Sequence, residues 1–265
     1  MKIGCCGYSF NRHLRSGEMN LEEFIDLCSD LGIDGVELTA YYFPTTDPDY
    51  LRSVKRRCFL KGLAISGTAV GNRFTEPDPE QRKLQITMVN HWIECSDILG
   101  APELRVFAGL LPEGHSEEEA IRWTVESLNE CASVAAGHGV MLTLENHMGI
   151  TSTATQVSRI MEMDDSDWVG LNLDTGNFDI LELKNPYDEL AQLIPLAVTS
   201  QFKNVLRKGP GRTPIDLERV IGLLHKSGYQ GYLNIEYEGD EDPKTAVPNM
   251  VKEMRAILQA IGVRK

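Results

Sequence analysis

Eight short apolar runs, rich in β-branched residues, punctuate the chain, and a longer stretch with helical spacing follows each one. The runs are Lys2–Cys6, Gly35–Leu38, Leu63–Thr68, Glu103–Phe107, Val140–Glu145, Val169–Asp174, Ala197–Phe202 and Gly231–Glu236. Their length and composition predict strands. The intervening segments predict helices over 20–31, 49–60, 79–99, 116–138, 152–163, 186–193, 214–227 and 243–261. Gly32 and Gly100 stand where helices stop. Glu117, Glu118 and Glu119 occupy a first turn, where the helix dipole favours acids. Pro214 and Pro243 open the last two helical segments, a common helix start. Parallel strands need a crossover of this kind. Eight units of about 30 residues fit a single α/β domain, a (β/α)8 TIM barrel, better than a doubly wound sheet. With no Pro- or Ser-rich linker and no low-complexity run, one domain over 1–265 is expected.

Bulk properties narrow the function. With 42% hydrophobic residues, the 265-residue chain can bury a large core. A net charge of −13 argues against a nucleic-acid partner, whose phosphates need a basic face. No apolar run reaches membrane-spanning length, so no membrane association is expected. The quickly polar start does not read as a signal peptide, and a cytoplasmic location is expected. Six scattered cysteines without zinc spacing predict reduced, buried thiols. Gly209-Pro210-Gly211-Arg212 lacks the GK[ST] ending of a phosphate loop and predicts a turn before the seventh helix. The acidic run Glu238–Asp242 predicts a solvated loop.

Chemistry concentrates at strand ends. Glu145, Asp174, Gln201 and Glu236 each close an apolar run before a loop. A carboxylate there is costly to desolvate unless it is paired or metal-bound, and in a barrel all four ends meet at one mouth. Three neighbouring carboxylates would repel and raise one another's pKa, which a divalent ion relieves. Mn2+ is the first expectation, with Mg2+, Co2+ or Zn2+ as alternatives, and Gln201 would add a neutral carbonyl oxygen. Such an ion, chelating a sugar carbonyl and its neighbouring hydroxyl, would acidify the adjacent C–H. A carboxylate on one face would take the proton and one on the other would return it. Return to the same carbon gives epimerisation; return to its neighbour gives aldose–ketose isomerisation. His147, Lys203 and Glu37 are further candidates for substrate contact. Arg105, inside a strand run, needs a barrel acid such as Glu37 or Glu145. Tyr8, Phe10, Tyr41, Tyr42, Phe43 and Phe74 follow the first three strands, as pocket walls or as core.

Together these segments resemble the xylose-isomerase-like barrel superfamily, the sugar phosphate isomerase/epimerase family. The resemblance rests on Gly35-Val36-Glu37-Leu38, Leu144-Glu145-Asn146-His147, Leu173-Asp174-Thr175-Gly176-Asn177, Gln201-Phe202-Lys203-Asn204 and Asn234-Ile235-Glu236-Tyr237, and it is strongest after residue 140. It implies a metal site at Glu145, Asp174, Gln201 and Glu236, with Glu145 and Glu236 as the acid–base pair. Two positions depart from the family's ketose 3-epimerases. Gln201 stands where they carry His, as in the hydroxypyruvate-isomerase-like branch, and Asn177 stands where they carry a sugar-contacting His. Arg207 matches an Arg of that subfamily and is implied to hold a substrate hydroxyl or phosphate.

The resulting expectation is a metal-dependent sugar isomerase or epimerase acting through an enediolate. A keto-sugar or inosose-type dehydratase would use the same first step. A non-catalytic sugar-binding barrel is the alternative from another class. Many relatives self-associate, so a homo-oligomer is an expectation as well. The seventh and eighth loops carry no Gly-rich phosphate cradle, which favours a non-phosphorylated sugar or a sugar acid.

Overall fold

In the computed structural model, described over residues 1–263, all eight runs become strands of one closed parallel barrel. They are β1 (Lys2–Cys6), β2 (Gly35–Thr39), β3 (Ala64–Ala69), β4 (Glu103–Val106), β5 (Met141–Glu145), β6 (Val169–Asp174), β7 (Ala197–Phe202) and β10 (Tyr232–Ile235), the last numbered after two strands outside the ring. Neighbours around the ring run β1-β10-β7-β6-β5-β4-β3-β2, and β1 pairs with both β2 and β10 to close it.

The main helices follow the expected crossovers: α2 (Leu21–Asp30), α3 (Pro48–Leu60), α4 (Pro79–Leu99), α5 (Glu117–His138), α6 (Ala154–Met163), α7 (Pro186–Leu193), α8 (Leu217–Lys226) and α9 (Pro243–Ala260). Their starts are chemically fixed. Asn20 with Glu23, Ser116 with Glu119, and Thr153 with Gln156 form reciprocal capping boxes. A short helix, α1 (Asn11–Ser16), was not expected; it sits in the loop after β1.

One expectation is corrected. Pro214 does not open a helix, and Gly209–Arg212 is not a simple turn. They belong to an antiparallel hairpin of β8 (Val205–Lys208) and β9 (Gly211–Pro214), and α8 is capped later, by Asp216. The hairpin leaves β7 after two residues and is tied back to the loop after β6: the Arg207 amide donates to the Gly176 carbonyl at 2.9 Å, and the Ile180 amide to the Arg207 carbonyl at 3.1 Å.

Two kinds of interior result from strand alternation. Side chains such as Val36, Leu38, Leu104, Leu142, Leu144, Leu171, Leu173, Leu233 and Ile235 are buried with helix residues Phe24, Ile93, Leu128, Val220 and Val247 in one apolar core. The other set is polar. Asn172, Gln201, Glu37, Asn234 and Ser66 form a hydrogen-bonded series within the barrel, and Glu103 accepts from Thr143 at 2.7 Å. Gly4 and Gly67 leave the space that Asn234 and Glu103 fill. All six cysteines are free and buried.

Gly176 marks a close approach: a Cβ there would overlap the Val205 carbonyl and come within 2.8 Å of the Lys203 side chain. Gly176→Ala should therefore destabilise the protein by about 1–3 kcal/mol, the usual cost of overpacking, read as a lowered urea midpoint. A midpoint equal to wild type would show that the hairpin yields freely.

Candidate active site

Glu145, Asp174 and Gln201 lie at the C-terminal ends of β5, β6 and β7, and Glu236 follows β10 by one residue. All four are buried. In the ring, β10 and β5 are separated by β7 and β6, so Glu236 and Glu145 enter the mouth from well-separated directions.

Lys203 is the centre of the arrangement. Its ammonium stands 3.1 Å from Asp174 Oδ2, 2.8 Å from Glu238 Oε1 and 4.0 Å from Glu236 Oε1, and it donates to Asn177 Oδ1 at 2.8 Å. Burial alone would lower its pKa, but Asp174, Glu236 and Glu238 together hold it well above the usual lysine value. A second cation, Arg105, pairs with Glu145 rather than Glu37: its Nε lies 3.0 Å from Glu145 Oε2. Its Nη1 donates to the Val70 carbonyl at 3.0 Å, and its guanidinium lies over the Phe107 ring. Arg105 is thus committed to holding Glu145, whose other oxygen accepts from Asn177 at 3.0 Å.

Desolvation dominates the acids. Burial, opposed by Arg105 and Lys203 and reinforced by Glu236 and Glu37, raises Glu145 to about 8. Burial, opposed by Lys203 and reinforced by Asp174, raises Glu236 to about 8. Asp174 is pushed to about 7 by burial despite Lys203. Glu37, with Gln201 and Asn234 donating to it at 2.7 and 3.3 Å, is also raised by burial. His147 moves the other way, to about 3, through burial and then the cations Lys203 and Arg105; its ring packs on Phe107. It is a neutral imidazole at physiological pH.

The four proposed metal ligands are all oxygen donors with surplus negative charge, which suits a hard divalent cation. Glu236 Oε2 is buried without a hydrogen-bond partner, as an oxygen awaiting a cation would be, while Asp174 Oδ2 faces the Lys203 ammonium. In the arrangement seen, however, Lys203 stands between Asp174 and Glu236. The Gln201 carbonyl oxygen accepts from Asn172 at 2.9 Å, and no three His, Cys, Asp or Glu groups among the described residues converge as a ligand cluster. The donor chemistry fits, and an ion would compete with Lys203 for Asp174 and Glu236.

Beside these groups lies a cavity of about 240 Å³, lined among others by His147, Asn177, Lys203, Arg207, Arg212 and Glu238. Of the six aromatic candidates, Phe10 and Phe74 are core residues, Phe43 packs against Trp92, and Tyr8 lines a second depression with Tyr237 and Glu238. Glu238 is not a solvated loop residue: it is bound by Lys203 and, at 2.9 Å, by Arg212.

Several supporting residues escaped the sequence reading. Asn146 ties the ends of β5 and β6 together, donating to the Asp174 carbonyl at 2.9 Å and accepting from the Asp174 amide at 2.8 Å. Asn172 holds Gln201, and Glu103 lies deeper with one unpartnered oxygen and a strongly raised pKa caused by burial and Glu37. A signal for them existed. Asn172, Glu103 and Asn234 each sit two residues before an assigned polar residue, on the same face of the strand.

With this geometry in hand, comparison with known proteins gives a definite family. The family model described as xylose isomerase-like TIM barrel matches residues 25–260. The chain belongs to the xylose isomerase-like TIM barrel family. Within it, an inosose dehydratase of Erwinia tasmaniensis is 26% identical over 93% of this chain and 92% of its own length. Among solved structures, a 3-keto-D-glucoside 4-epimerase from E. coli superposes with a TM-score of 0.76 at 20% identity, covering 97% of this chain and 99% of that one. A D-psicose 3-epimerase from Clostridium cellulolyticum H10, solved with D-tagatose, superposes with a TM-score of 0.75 at 19% identity, covering 98% of this chain and 97% of that one. At these identities the structural likeness establishes the shared barrel and nothing finer. No helix among the described residues of this family member is long and apolar enough to cross a membrane.

The raised acids couple stability to pH. Glu145 and Glu236 bind protons up to about 8 in the folded state against an ordinary 4.5, so the folded protein holds more protons between those values. Their contribution is complete below about 4.5 and is lost as pH rises to 8. The metal-free protein should melt at a lower temperature at pH 8.5 than at pH 5.5, by about 5 °C or more, and Glu236→Gln should shrink the difference. An equal difference in the variant would show that Glu236 keeps one protonation state across that pH range.

Proposed function

We propose that the protein removes a proton from the carbon beside a carbonyl in a keto-sugar or keto-cyclitol and returns it as a sugar isomerase or epimerase. The observation that carries this reading is the pair of buried carboxylates, Glu145 and Glu236, both brought near 8 and approaching one mouth from separated strands. General acid–base groups work best with a pKa near the working pH. One of the pair, ionised, takes the C–H proton; the other, protonated, delivers one to the opposite face of that carbon, giving the epimer, or to the neighbouring carbon, giving the isomer. Arg105 and Asn177 orient Glu145, and the Lys203 ammonium favours the ionised form of Glu236 when its turn as base comes. His147, neutral and facing the cavity, offers a hydrogen bond to a substrate hydroxyl. Glu145, Asp174, Gln201 and Glu236 would hold a divalent ion, Mn2+ first, which when bound would polarise the carbonyl and acidify the adjacent C–H.

A second reading is favoured by the inosose dehydratase that resembles this chain over nearly its whole length. The proton is removed in the same way. The electron pair left on carbon then expels the β-hydroxyl, which takes a proton from the second carboxylic acid and leaves as water.

The test is solvent deuterium exchange into a panel of ketoses, keto-sugars and inososes, with Mn2+ or with EDTA. Exchange beside the carbonyl is expected, and the product separates epimer, isomer and dehydrated ketone. Glu145→Gln and Glu236→Gln should each lower the rate by about 10²–10⁴-fold, the usual worth of a positioned acid or base. Exchange that survives both substitutions would remove Glu145 and Glu236 from the acid–base role, and none with any substrate while Mn2+ is bound would point to a sugar-binding barrel.

Metal uptake is measured separately by calorimetric titration with Mn2+. Asp174→Asn should weaken it by at least the roughly 10–100-fold lost with an outer-shell partner, whereas Lys203→Met should strengthen it by removing the competing cation. Undiminished binding in the Asp174 variant would remove that residue from the ligand set.

A further inference from the structure

We propose that two copies of this chain pair through the N-terminal face of the barrel, the basic, apolar end of α3 on one copy seating against the acidic, apolar end of α6 on the other. Resemblance implied only that relatives self-associate; the surfaces, their pairing and the symmetry come from this chain. The pairing does not depend on the proposed reaction.

In a parallel barrel each helix returns the chain to the start of the next strand, so helix C-termini and strand starts share one face. On that face the last turn of α3 carries Phe59 and Leu60, 80% and 64% exposed. Isolated apolar residues on a surface are ordinary, but adjoining ones beside an apolar depression mark an interaction site. The depression here is about 480 Å³, and Phe59, Leu63, Ile65 and Leu99 line it together with Lys55 and Arg56. Residues 52–61 hold five of the 26 Lys and Arg of a chain whose net charge is −13. Asp49 holds Arg52, and Asp26 holds Arg57 and Lys61, whereas Lys55 and Arg56 have no side-chain partner among the described residues.

The complementary surface lies on the same face, three strands away round the ring, where α6 ends and β6 begins. Met163 is 47% exposed there, and Val198, at the start of neighbouring β7, is 42% exposed. Glu162, Asp165 and Asp167 are exposed beside Met163 and have no side-chain partner among the described residues. No Lys or Arg occurs from residue 160 to residue 183. Burial, with the Asp165 charge adding to it, raises the pKa of Asp164, as a local surplus of negative charge would. An oppositely charged surface relieves such crowding and steers the encounter.

Each copy carries both surfaces, so closure follows from symmetry. A two-fold axis lying in the N-terminal face and bisecting the two patches brings α3 of each copy onto α6 of the other. Both contacts form together, and no third copy is recruited. Met163 then meets the depression beside Phe59, while Lys55 and Arg56 meet Glu162, Asp165 and Asp167. An apolar centre with a charged rim is the usual anatomy of an interface. Glu145 and Glu236 lie at the other end of the barrel, so both mouths stay open to substrate.

Sedimentation equilibrium on the full chain tests this pairing. Wild type is expected to be a dimer at micromolar concentration and to dissociate as NaCl is raised, because the charged rim is exposed. Arg56→Glu and Asp165→Lys should each raise the dissociation constant about tenfold or more, by setting like charges face to face. Phe59→Ser should weaken the dimer in the same direction, and Leu84→Ser, at an exposed position of α4, should leave it unchanged. An equimolar mixture of the Arg56→Glu and Asp165→Lys proteins should regain the wild-type constant, since one contact then joins the two reversed charges and the other joins two native ones. A wild type that stays monomeric overturns the dimer and leaves the α3 surface to an acidic partner of another kind. Dimers that withstand both charge reversals, or a mixture that fails to recover, overturn the pairing of α3 with α6.

Discussion

Inside the barrel, carboxylates outnumber cations, and the rest of the site follows from that imbalance. Glu37, Glu103, Glu145, Asp174 and Glu236 are buried together, with Arg105 and Lys203 as the buried bases beside them. An uncompensated buried charge is far more costly than a proton. The acids with the least support therefore hold protons, while Lys203 and Arg105 are driven more firmly into their charged forms. The same imbalance brings Glu145 and Glu236 to about 8, close to neutral pH.

The barrel turns this imbalance into geometry. Alternation sends leucines, isoleucines and valines outward under the helices and leaves the inner face to Asn, Gln, Thr, Ser and acids. Each inner side chain is then fixed by another strand's side chain. Gln201 spans Asn172 and Glu37, and Asn146 locks the end of β5 to the end of β6. Rigid strand ends keep the acids at fixed separations, which flexible loops could not do.

Much of this was readable from the chain. The eight runs and their caps carry the fold because hydrophobic period and helix-start chemistry are local properties. Glu145, Asp174 and Glu236 stood out because an acid closing an apolar run is locally anomalous. Asn172 and Asn234 did not, since a buried amide is explained only by partners far away in sequence. Arg105 needed an acid, but the choice of Glu145 over Glu37 depends on the ring's geometry. The hairpin was missed because its strands are short, polar and partly exposed, without the alternation of a core strand. Glu238 read as part of an acidic loop for the same reason: its partners, Lys203 and Arg212, come from β7's exit and the hairpin.

The hairpin leaves β7 just after Lys203 and returns before α8, so it contributes no strand to the ring. Ten residues can therefore change in length or charge while every barrel pairing stays intact. In such a design the ring with its inner acids and the loop beside it are inherited separately: descendants of one ancestor can keep the former unchanged while rewriting the latter.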